Sequence, residues 1–242
     1  MKRPVCLTIG GSDSCGGAGI QADLRVFEAC HVQGCSVTTA LTAQNPLTIS
    51  RIEPVSLAQL DAELHVLFDY YDISVVKTGM LVDAEHVAVV SALLQQRHQG
   101  QLVIDPVMIS SSGKQLLDAG GVDALKHALL PLATLITPNL DEAAALLGEA
   151  VVDPKISVKK LSERFSCAVL LKGGHGEGDA LLDLLCDRDG NIFGFSHVRQ
   201  AWNIDQAHGT GCRLAAAVAA ELASGASLAP AVENSVRFLQ MS

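Results

Sequence analysis

A chain of 242 residues with a net charge of −9 is long enough for one α/β domain and has no lysine–arginine cluster to neutralise a nucleic acid. Its seven cysteines are odd in number and contain no C-x-x-C pair, which argues against a disulfide framework or structural zinc and for a reducing, cytoplasmic setting. The alanine-rich stretch LAAAVAAELA is interrupted by Glu221 and falls short of the ~20 residues of a membrane span, and the apolar run in MKRPVCLTIGG is too short for a signal segment.

In chain order, residues 5–10 (VCLTIG) read as a strand. The glycine-rich GGSDSCGGAG (10–19) follows, then a helix over 18–31 with Ile20, Leu24 and Phe27 on one face. Residues 35–44 form a second strand. A helix over 56–71 starts at Ser56 as N-cap, and a strand over 73–79 leads to a helix over 83–98. Further strands fall at 101–108, 134–139 and 167–174, with helices near 119–130 and over 140–148. Residues 180–198 read as a hairpin turning at Asp189-Gly190, and the turn HGTGC opens a long alanine-rich helix. Near-continuous apolar strands alternating with helices predict one domain, 1–242, with a mainly parallel central sheet and helices on both faces. Ligands of such sheets sit at the carboxyl ends of the strands.

The loop at 10–19 fails both standard nucleotide tests. Gly11 and Gly16 have Walker A spacing, but Gly17 stands where lysine is needed. The second strand ends near Gln44 and not in an acidic residue, as a dinucleotide fold requires. Gly209 and Gly211, bracketing Thr210 at a helix start, make an anion nest reinforced by unpaired amides. Cys212 on that first turn should be acidified below the ~8.5 of a free thiol. It has three readings: a nucleophile partnered by His208 or His175, a general base beside a phosphate, or a buried packing residue. Asp105 ends an apolar strand, where an unpaired charge is costly and a site role is favoured. Asn139 and Glu142 have capping-box spacing, and Lys172 ends another strand.

The motifs TIGGSDSCGGAGIQADL (8–24), TALTAQN (39–45), KTGML (77–81), DPVM (105–108), LLPLATLITPNLDEAAALL (129–147), LLKGGH (170–175) and HGTGC (208–212) occur in this order. Together they make the chain similar to the hydroxymethylpyrimidine/phosphomethylpyrimidine kinases of thiamine biosynthesis, within the ribokinase-like superfamily. The resemblance implies a three-layer α/β fold, a cytoplasmic homodimer, and ATP with Mg2+. It implies Cys212 as the base and Gly209, Thr210 and Gly211 holding the transferred phosphate. Gly11, Ala18, Asp23, Gln44, Met80 and Val107 would line the pyrimidine pocket. The Gln44 amide would read the aminopyrimidine, while Met80 and Val107 enclose the ring. Asp105, Asn139, Glu142 and Lys172 would face the nucleotide, with Glu142 arranging Mg2+ through water. The chain departs from the family at Arg213 and Ala207, and in ending at VRFLQMS where the family continues with a further tail. Two alternatives follow: a pyridoxal or pyridoxine kinase, and a pyrimidine-binding paralogue with weakened phosphotransfer. Helix periodicity predicts Arg213 pointing away from the nest.

Overall fold

The computed structural model describes residues 3–173 and 180–241. Gly174 and His175 fall outside them. The strands are β1 (Val5–Asp13), β2 (Gln33–Asn45), β3 (Thr48–Pro54), β4 (Ile73–Thr78), β5 (Gln101–Ile104), β6 (Leu135–Ile136), β7 (Ala168–Leu171), β8 (Ala180–Cys186) and β9 (Ile192–Val198). They form one sheet of order β3-β2-β1-β4-β5-β6-β7-β8-β9. β1, β2, β4, β5, β6 and β7 pair in parallel, while β3 pairs antiparallel to β2, β8 to β7, and β9 to β8. The helices are α1 (Gly19–Ala29), α2 (Leu57–Tyr70), α3 (Ala84–Arg97), α4 (Ala119–Ala124), α5 (Leu140–Leu147), α6 (Pro154–Phe165), α7 (Ile204–Ala207), α8 (Thr210–Ala223) and α9 (Leu228–Met241).

Alternation along the strands separates two cores. Leu7, Ile9, Val76, Leu102, Ile104, Ile136 and Val169 face one layer, which holds Leu60 and Leu64 of α2, Val90 of α3, Leu146 of α5 and Leu161 of α6. Cys6, Val75, Val103, Leu135, Ala168 and Leu170 face the other, against Phe27 of α1, the alanine face of α8 and Val232 of α9. Side chains this deeply buried contribute roughly 1.5–3 kcal/mol each for Leu, Ile, Val or Phe. Both faces are covered, so the three-layer arrangement expected from the sequence is present. In α8, Ala215, Ala216, Ala219 and Ala220 are fully buried. Side chains this small let α8 lie close on β1, β4 and β5, and that closeness fixes where its first turn sits.

Several boundaries shift for identifiable reasons. β1 runs on through Gly10 and Gly11, which stay paired to β2 across a bulge. The strand expected over 101–108 stops at Ile104, because Pro106 lacks an amide and restricts Asp105 before it. The helix expected near 119–130 keeps only the short α4, with Gly120 and Gly121 inside it; a π turn (Leu125–Leu129) and a 3-10 turn ending past Pro131 follow. Three elements longer than a single turn lie outside the predicted set, as does the short α7. In β3 a register shift opposite Ala43/Gln44 breaks the alternation of Ile49 and Ile52. In α6 Asp153 caps the Lys155 and Ile156 amides ahead of Pro154, and Val158, Leu161 and Phe165 form its buried stripe. The third is α9. Ser56 accepts the Gln59 amide as the cap of α2, as expected. The 180–198 hairpin is present, its turn held by the Gly190 amide on the Asp187 carbonyl.

Candidate active site

The chain order of the sheet reverses between β1 and β4, and a cavity of about 840 Å³ opens at the carboxyl ends of the strands there. Its rim takes Gly11 from β1, Gln44 from β2, Met80 after β4, and Asp105 and Val107 after β5. Asn139 and Glu142 around the start of α5 and Lys172 after β7 continue it, and Gly209–Cys212 at the start of α8 completes it. Ala18 and Asp23 join from the first loop and α1. Each residue that the resemblance assigned to the site therefore borders one space, while His175 lies outside the described residues.

The two glycine loops interlock. Gly209 has φ +79°, and a Cβ there would fall on the Gly17 carbonyl oxygen, so both conformation and close approach demand glycine. A Cβ on Gly17 would meet the His208 ring. His208 Nε2 lies 2.9 Å from Asp13 Oδ2, and the same carboxylate accepts the Ala18 amide (2.8 Å) and the Cys15 amide (2.9 Å). Burial opposes the charge on Asp13. These hydrogen bonds outweigh burial and hold the carboxyl below the ordinary range. Gly209 offers no capping side chain, so the first amides of α8 are left to face the cavity. Lys172 Nζ stands against this turn, 3.3 Å from where a Cβ on Gly211 would be.

Below the anion nest lies a floor of paired charges. Lys77 Nζ bonds Asp23 Oδ2 at 2.8 Å, and Thr8 Oγ1 donates to the same oxygen at 2.6 Å. Asp23 Oδ1 is buried without a partner, an acceptor left for a donor. Lys172 Nζ bonds Asp105 Oδ1 at 2.8 Å and lies 3.8 Å from Glu142 Oε2, and Thr137 Oγ1 also donates to Asp105. Burial opposes charge on both lysines, but the carboxylates and Cys212 around them hold each ammonium above the ordinary lysine range. Burial pushes Glu142 up to about 7, Lys172 pulls against it, and Asp105 adds to the rise. Glu142 and Asn139 also make the capping box of α5, with both reciprocal bonds at 2.8 Å. Capping the helix leaves both residues on the wall of the cavity.

Two expectations need correction. Cys212 is not acidified. Burial pushes the thiol up, Lys77 pulls it down, and Asp105 and Asp23 push it up again, leaving it at about 11. The helix start is outweighed first by burial of the thiol and then by the carboxylates that share its surroundings. Nor is His208 poised to activate Cys212, since its Nε2 is committed to Asp13. Arg213 points away from the nest, as periodicity predicted: its Nη2 donates to the Gln206 carbonyl at 2.8 Å and its guanidinium lies 5.9 Å from the Trp202 ring centroid. The Gln44 backbone is clasped by Ser14 Oγ through both its amide and its carbonyl, and its side chain reaches Asp13.

Sequence reasoning missed Lys77, although a lysine inside the apolar strand ISVVKT carries the signal that singled out Asp105. It also missed a polar cluster at the far end of the cavity. There Asp183 accepts the Gly173 amide (2.7 Å) and lies 3.1 Å from His197 Nε2, which holds His197 above the ordinary histidine range. This cluster depends on a strand, a loop and a hairpin meeting, which no local pattern reveals. All seven cysteines are free. No described helix is long and apolar enough to cross a membrane.

Comparison with known proteins gives a consistent result. The phosphomethylpyrimidine kinase family model matches residues 13–242. A hydroxymethylpyrimidine/phosphomethylpyrimidine kinase of Haemophilus influenzae is 42% identical over 239 residues, covering 96% of this chain and 88% of that one. The crystal structure of a phosphomethylpyrimidine kinase from Clostridium difficile superposes with a TM-score of 0.85 at 33% identity, covering 99% of each chain. A pyridoxal kinase from Staphylococcus aureus, solved with pyridoxal, superposes with a TM-score of 0.88 at 30% identity, covering 99% of this chain and 87% of that one.

Proposed function

Because the chain belongs to the phosphomethylpyrimidine kinase family, we propose that it transfers the γ-phosphate of ATP to the hydroxymethyl oxygen of hydroxymethylpyrimidine and/or its monophosphate, in thiamine biosynthesis. The observation that carries this reading is the shared cavity: an uncapped helix start, a half-buried cysteine on its first turn, and Lys172 between that turn and two carboxylates. Phosphoryl transfer asks for little covalent chemistry and much positioning of charge. The amides of Gly209, Thr210 and Gly211 with Lys172 would hold the moving phosphoryl group. Cys212 would take the hydroxyl proton as its oxygen attacks phosphorus in line. Gln44 would pair with the ring nitrogen and exocyclic amine, Asp23 Oδ1 would accept a donor, and Met80 and Val107 would flank the ring. Leu181, Trp202 and Leu239 give the cavity apolar lining that suits the base of ATP.

Glu142 and Asp105 suit Mg2+, since both are oxygen donors, and a dication beside them would offset the burial and the Asp105 charge that push Glu142 up to about 7. Glu142 would hold the ion through water, with Asn139 beside it, and the ion supplies charge neutralisation between the phosphates when bound. The same reading makes the whole chain, 1–242, one kinase domain acting as a cytoplasmic homodimer; the free cysteines agree with a reducing compartment. The orientation of Arg213 removes it as an obstacle to phosphate, which speaks against the binding-only alternative. ADP release measured with hydroxymethylpyrimidine, its monophosphate and pyridoxal tests the proposal. Turnover led by either pyrimidine supports it. Preference for pyridoxal would transfer it to the vitamin B6 alternative, and tight pyrimidine binding without ADP release would make it a binding protein.

A further inference from the structure

Where the two glycine loops meet, three side chains of different donor chemistry converge. They are Asp13 at the end of β1, Cys15 in the loop after it, and His208 just before Gly209. Cys15 Sγ lies 3.1 Å from Asp13 Oδ1 and 3.4 Å from Oδ2, and His208 Nε2 lies 2.9 Å from Oδ2. One ligating atom from each falls within 4.8 Å of the other two. Tetrahedral zinc, with bonds of about 2.0–2.3 Å, needs ligand–ligand edges of about 3.3–3.7 Å. The 3.4 Å edge from Cys15 Sγ to Asp13 Oδ2 already fits, the 2.9 Å edge from His208 Nε2 to the same oxygen needs to widen by a few tenths of an ångström, and the sulfur–nitrogen edge adjusts within its 4.8 Å limit. The Asp13 and His208 side chains are 1% and 9% exposed, whereas Cys15 is exposed.

We propose that Asp13, Cys15 and His208 form a binding site for a divalent transition metal of the zinc class. The mixed oxygen, sulfur and nitrogen donors suit such an ion and not magnesium, which takes oxygen. The surroundings are those of a supported ligand set. Two backbone amides, from Cys15 and Ala18, fix the Asp13 carboxylate. His208 Nδ1 faces Ser111 Oγ at 3.5 Å, so the imidazole can carry its proton on that nitrogen while Nε2 binds metal. The charges balance. The ion brings two positive charges, Asp13 supplies one negative, and the Cys15 thiol loses its proton to supply the second. The His208 proton moves from Nε2 to Nδ1, and one proton is released to solvent per ion bound. The fourth position opens at the exposed Cys15 side. The bound ion ties the first loop to the turn before α8 through bonds that replace the His208–Asp13 and Cys15–Asp13 hydrogen bonds.

Metal-free protein titrated with Co2+, followed by Zn2+ competition against a chromogenic chelator, tests the site. The expected result is one equivalent bound with a thiolate-to-cobalt charge-transfer band. In Cys15→Ser the band disappears and Zn2+ affinity falls at least tenfold, while its thermal melt without metal matches the parent. His208→Gln lowers the affinity by a similar factor, and Cys212→Ser keeps both band and affinity. A parent protein without the band, or a band that survives in Cys15→Ser, overturns the assignment.

Discussion

Replacing Cys212 separates a base from a packing residue. With its thiol at about 11, Cys212 is roughly 0.1% thiolate at pH 8, a cost of about 4 kcal/mol at 1.36 kcal/mol per pH unit. If proton removal runs through this sulfur, log kcat should climb about one unit per pH unit from pH 7 to 9.5, because the reactive form is the ionised one. Cys212→Ala should lower kcat by roughly 10²–10⁴ and leave ATP affinity near that of the parent, since the nest amides and Lys172 stay in place. Cys212→Asp should recover part of the loss and flatten the pH profile. A carboxylate pushed up several units by the same surroundings is still ionised at pH 8. The assay is steady-state ADP release at saturating MgATP and hydroxymethylpyrimidine across pH 6–10, with ATP affinity from calorimetry. Wild-type turnover in Cys212→Ala, or a flat parent profile, would refute the base and leave the cysteine as filling for the helix start.

Gln44→Leu should weaken binding of the pyrimidine alcohol by about 1–3 kcal/mol, by leaving ring donors and acceptors unpaired, with ATP binding unchanged in calorimetry; equal loss of both ligands would make the residue structural. Glu142 titrates at about 7 in the folded protein, above its ordinary 4.5, so its contribution to stability is fully present below pH 4.5 and lost as pH rises through 7. Removing that loss, Glu142→Gln should stabilise the ligand-free protein at pH 8 by at most about 3 kcal/mol, and not at pH 4.5, in urea melts; with MgATP it should cost roughly 10–100-fold in turnover. Equal stability of parent and variant at both pH values would contradict the buried-charge account. Arg213→Thr should leave ATP affinity within about twofold and cost at most about 1 kcal/mol of stability, because it loses one bond to Gln206 but frees a buried, unpartnered Nε. A tenfold loss of ATP affinity would mean the guanidinium reaches the phosphates.

The sheet and its layers were legible because the strand runs are apolar on both faces, which only a doubly covered sheet rewards. Short elements were less so. β3 hides behind a bulge that spaces Ile49 and Ile52 like a helix, whereas Asp153-Pro154 announces α6 openly. In the site, Asp105 stood out because a carboxylate ending an apolar strand needs a partner, and Lys172 supplies one. The acidity of Cys212 was misjudged because a helix start is a local feature. The burial that outweighs it, and the carboxylates from α1 and the turn after β5 that add to it, reach the thiol only in the folded chain. The His208–Asp13 contact joins loops from opposite ends of the chain and has no local signature.

That contact spans 195 residues, and the Cys6 thiol reaches the Ala219 carbonyl across 213. The first strand of the sheet in chain order is therefore completed by a helix near the other end of the fold. On the ribosome, β1 and its glycine loop precede α8 by almost two hundred residues, with that face of the growing sheet covered only by α1 until α8 arrives. Fragments lacking the residues from His208 onward lack the nest and leave Cys6, Val75 and Val103 without their covering helix. Nucleotide affinity should accordingly appear all at once late in synthesis, and not build up in proportion to chain length.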